Sequence, residues 1–86
     1  MFFLDHLTDA AGGSAGITDL AETLGVQRSK LYRWLADGRV TKTADVARLV
    51  AMWERHSPEP PPGSHVGALA MWQIRRDALI AGLCGL

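Results

Sequence analysis

The sequence predicts an all-α protein: a domain of four short helices, then a proline-rich linker and a C-terminal helix. Apolar residues recur at three- and four-residue spacing through most of the chain, the period of a helix with one buried face. Glycine or proline interrupts each periodic run at its end, where a left-handed residue or a missing amide donor stops a helix. No stretch alternates apolar and polar residues as a half-buried strand does, and no internal repeat is visible.

Each helix can be justified in turn. Phe3, Leu4, Leu7, Ala10 and Ala11 share a helical face until Gly12-Gly13 ends it. A second helix is expected from about Thr18 to Leu24, with Ile17 or Thr18 at its start and Gly25 just past its end. Asp19 falls in its first turn, where the helix dipole favours an acid. Arg28 to Ala36 form a third helix, closed by Asp37-Gly38. Thr43 is expected to cap a fourth, in which Val46, Leu49, Val50 and Trp53 line one face as far as His56. Trp34 and Trp53 lie on the apolar stripes of their helices and are expected in the core.

The segment Ser57-Pro58-Glu59-Pro60-Pro61-Pro62-Gly63-Ser64 cannot be helical, because successive prolines remove donors and favour an extended path. Val66 to about Ala81 reads as a fifth helix, whose apolar residues include Leu69, Trp72, Ile74, Leu79, Ile80 and Leu83. The expected division is therefore a domain at 1–57, a linker at 58–64 and a C-terminal helix at 65–86.

Composition narrows the function. The chain has 86 residues, 48% of them hydrophobic and 21% charged, which suits one small folded domain with at most an appended element. A single cysteine, Cys84, leaves no disulfide framework and no metal-ligand spacing, and a cytoplasmic setting is expected. Asp5 interrupts the apolar start, unlike a signal peptide. Arg75-Arg76-Asp77 break the apolar run from Val66 to Leu86, so no membrane span is expected. His6, His56 and His65 lie far apart in sequence and read as surface or helix-end residues. No metal, cofactor or catalytic activity is expected.

Net charge is zero, yet its distribution is uneven. Between Arg28 and Lys42 lie Arg28, Lys30, Arg33, Arg39 and Lys42 against the single acid Asp37, whereas the first sixteen residues hold Asp5 and Asp9 without a basic residue. Such a local excess suits a face that meets a polyanion. It overlaps the second half of the segment from Ile17 to Leu35, ITDLAETLGVQRSKLYRWL. Two short helices crossing steeply need a small residue at the crossing and a positive-φ residue in the turn. Ala21 and Gly25 meet those needs, and Leu20, Leu24, Val26, Leu31, Trp34 and Leu35 supply the inner faces. Gln27, Arg28, Ser29, Lys30, Tyr32 and Arg33 are left outward, all able to hydrogen-bond.

This segment resembles the helix-turn-helix of Cro and phage-repressor-like (XRE-type) regulators, and more broadly the heads of excisionase and MerR-type proteins. The resemblance implies a sequence-specific regulator of transcription, a phage or mobile-element repressor, whose second motif helix enters the major groove of double-stranded DNA. Carried onto this sequence, it makes Arg28, Ser29 and Arg33 the base readers, with Gln27 and Tyr32 close by and Thr18 and Lys30 on phosphates. Arg39 and Lys42, in the following loop, are placed for the flanking backbone.

The C-terminal helix is apolar enough to need more than one buried face. Pairing with a second copy is the favoured expectation, because such domains bind inverted repeats as two-fold dimers. Val66, Leu69, Trp72, Ile74, Leu79, Ile80 and Leu83 would then form a homodimer interface. Folding back, or docking another protein, are the alternatives. Two other functions stay open: an excisionase-like recombination directionality factor, and an antitoxin-like protein-binding module with the same scaffold. Excisionase-type heads place a β-wing after the motif, where this chain reads as helix from Thr43.

Overall fold

The computed structural model describes residues 2–13 and 16–86. Five helices account for 70% of the described residues: α1 (Phe3–Ala10), α2 (Ile17–Leu24), α3 (Arg28–Asp37), α4 (Thr43–His56) and α5 (Val66–Leu83). There is no strand among the described residues. Among the described residues no helix is long and apolar enough to cross a membrane. α1 lies against both α4 and α5, α4 against α5, and α2 against α1 and α3.

The apolar periods of the five helices converge on one core. Leu7, Leu20, Leu24, Leu31, Trp34, Leu49, Trp53, Leu79 and Leu83 are all buried to within 2% of complete exclusion from solvent. Both expected core tryptophans are among them. The Trp53 ring stacks at a tilt on Trp72, centroids 5.8 Å apart. Its Nε1 finds no acceptor among the described residues, which costs about 1–3 kcal/mol against a paired indole.

Helix ends follow local chemistry. Gly25 adopts the left-handed conformation at φ 70°, ψ 33°, and the Val26 amide then reaches back to the Ala21 carbonyl at 3.0 Å. That closure ends α2 and leaves three residues, 25–27, before α3 begins. Gly38 ends α3 in the same way, at φ 68°. His65 caps α5, its Nδ1 accepting from the Gly67 amide at 3.2 Å. Thr43 does not cap α4 as expected: it is the first helical residue, and Lys42 occupies the cap position without a side-chain bond.

The C-terminal helix departs most from the sequence reading. Leu79 and Leu83 were expected in a homodimer interface, but they are 1% and 0% exposed within the chain's own core, against which Trp72 and Ile80 also pack. Two backbone anchors hold this arrangement. Trp72 Nε1 donates to the Ser57 carbonyl at 2.6 Å, and the Val40 amide donates to the Leu83 carbonyl at 2.7 Å. The α1 packing is close at Gly82, where a Cβ would collide with the His6 ring. The proline segment is thus a break in secondary structure across which one core continues.

Candidate nucleic-acid interface

α3 is a ten-residue helix that buries Leu31 and Trp34 and half-buries Leu35. At about 100° per residue, Arg28, Tyr32, Ala36, Ser29 and Arg33 follow one another around the opposite side. All five are exposed. Tyr32, near the middle of this face, is 55% exposed. None of the side chains of Arg28, Ser29, Tyr32 and Arg33 makes a hydrogen bond or ion pair among the described residues. The face therefore presents two guanidinium forks, a hydroxyl and a phenol with their hydrogen-bonding capacity unspent.

The other predicted site residues surround it unequally. Gln27 is exposed at the N-cap of α3 without a side-chain capping bond. Thr18 is exposed in the first turn of α2. Arg39 and Lys42 are exposed in the connection from α3 to α4. Lys30 differs from all of these. Its Nζ lies 3.0 Å from Asp45 Oδ2 of α4, without hydrogen-bond alignment, and 5.5 Å from the centre of the Trp34 ring. The expected phosphate contact is thus engaged in joining α3 to α4.

Two residues that sequence reasoning passed over prepare the site. Asp45 is one. The other is Arg48, whose guanidinium donates to the Leu24 carbonyl at 2.6 Å and so satisfies an orphan acceptor at the C-terminus of α2. A cation there is also favoured by the helix dipole. Both side chains leave the same flank of α4, three residues apart. Their spacing beside the Leu49 and Trp53 stripe was the available signal.

A second exposed surface lies on α5. Val66 is 96% and Ile74 63% exposed, with Leu69 and Met71 also open. Of the seven residues expected at an interface between copies, Val66, Leu69 and Ile74 remain on the surface. Comparisons with protein-family models, curated proteins and solved structures returned no match to this chain.

Proposed function

We propose that the chain is a sequence-specific double-stranded DNA-binding regulator, with α2 and α3 forming a helix-turn-helix and α3 entering the major groove. The observation that carries this reading is the unspent polar face of α3, on which Arg28, Ser29, Tyr32 and Arg33 stand exposed and without a partner among the described residues. Arg28 and Arg33 suit guanine, whose O6 and N7 accept a guanidinium fork, and Ser29 can hydrogen-bond to either guanine or adenine. Gln27 is placed for adenine in the same way. Arg39, Lys42 and Thr18 meet phosphates that fix the register of the helix without reading sequence.

One ten-residue helix reads a single half-site. In this proposal two copies of the chain meet through the open part of α5 around Val66, Leu69 and Ile74, and their recognition helices reach half-sites about 34 Å apart. The winged alternative has less support, since the connection after α3 leads directly into the fourteen-residue α4.

Fluorescence anisotropy against duplexes selected from a random pool tests the reading. The Arg28→Ala, Arg33→Ala double variant is expected to bind the selected site at least about tenfold more weakly, each bidentate contact contributing roughly 1–3 kcal/mol. Undiminished affinity and specificity would remove the assignment of base readers. No binding of the wild type to any duplex at low salt would favour the protein-binding module instead.

A further inference from the structure

The approach of Lys30 on α3 to Asp45 on α4, Nζ to Oδ2 at 3.0 Å, joins two helices. Lys30 lies roughly 130° around α3 from the middle of the exposed face. It sits on the flank beside α4, where a helix in the major groove would meet the backbone of one strand. A free lysine there would add a phosphate contact that reads no sequence. Its side chain is 38% exposed, and three features oppose such a contact. The Asp45 carboxylate stands 3.0 Å from its Nζ, the Trp34 ring lies 5.5 Å from the same atom, and Asp45 is itself mostly enclosed, its side chain 15% exposed.

We propose that Asp45 is a specificity-determining residue of the DNA-binding face, because it withholds the charge of Lys30 from the phosphate backbone; this rests on the DNA-binding reading given above. Affinity then depends more on the base contacts of Arg28 and Arg33 than on charge alone. The zero net charge of the chain is consistent with that economy, since phosphate neutralisation supplies most non-specific affinity.

The test is the salt dependence of binding to a random-sequence duplex, followed by anisotropy for the wild type, Lys30→Met, Asp45→Asn and the double variant. Lys30→Met is expected to leave the slope of log affinity against log salt unchanged. Asp45→Asn is expected to steepen it by about 0.9, the increment for one further neutralised phosphate. The double variant should return to the wild-type slope, which separates release of the lysine from simple loss of a carboxylate.

A shallower slope for Lys30→Met in the otherwise unaltered chain would overturn the inference, because the lysine would then already contact phosphate. An unchanged slope for a folded Asp45→Asn would overturn it too. Circular dichroism establishes folding, and Asp45→Ser is the replacement if asparagine disrupts the helix contact. Wild-type protein that binds no duplex at low salt would sink the DNA-binding reading itself, a result distinct from both slope outcomes.

Discussion

α3 and α5 contribute to the same core and differ in what they leave outside it. α3 buries Leu31 and Trp34, and α5 buries Leu79 and Leu83. Outward, α3 offers Arg28, Ser29, Tyr32 and Arg33, whereas α5 offers Val66, Met71 and Ile74. The inner faces explain why the chain folds. The outer faces do not contribute to that core, so their chemistry bears on what the molecule meets. A polar face is stable in water and gains by pairing with groups of fixed geometry, such as base edges. An apolar face in water gains from being covered.

The comparison can be broken first at the inner side of α5. Leu83→Ala is expected to lower stability by about 2–5 kcal/mol in urea denaturation followed by circular dichroism. A loss near zero would mean that α5 does not belong to the core. Gly82→Ala should cost somewhat less, about 1–3 kcal/mol, as the new methyl forces the His6 ring aside. At the turn before α3, Arg48→Met is expected to remove about 1 kcal/mol by leaving the Leu24 carbonyl without its donor. Replacements on the outer faces should have the smallest effect on folding. Arg28→Ala and Ile74→Ser are each expected to stay within about 0.5 kcal/mol of the wild type. They should part in function, Arg28→Ala weakening DNA binding and Ile74→Ser shifting sedimentation equilibrium towards monomer.

Much of this contrast was legible in the residue order. Helical spacing placed Leu31 and Trp34 inside, and Gly25 and Gly38 marked turns that both adopt positive φ. These are local properties, fixed within a few residues of the chain. Lys30 shows where local reading stopped. The helical period left it outward beside Arg28 and Arg33, but its partner Asp45 lies on another helix and becomes its neighbour only through packing. The same holds for Arg48 with Leu24 and for Val40 with Leu83. α5 was ambiguous for a related reason. Its residues are apolar on several sides, so periodicity could not choose which side the core would claim. The choice came from Trp72 meeting the Ser57 carbonyl after the proline segment, with Leu79 and Leu83 aligned behind it.

Selection of bound sequences from random duplex DNA, with the stoichiometry measured on the winning site, tests the central claim most directly. The expected result is an inverted repeat with guanine in each half-site, centres about 10 base pairs apart, binding two chains. Failure to enrich any sequence at low salt, with the protein folded, would contradict the claim that α3 reads DNA.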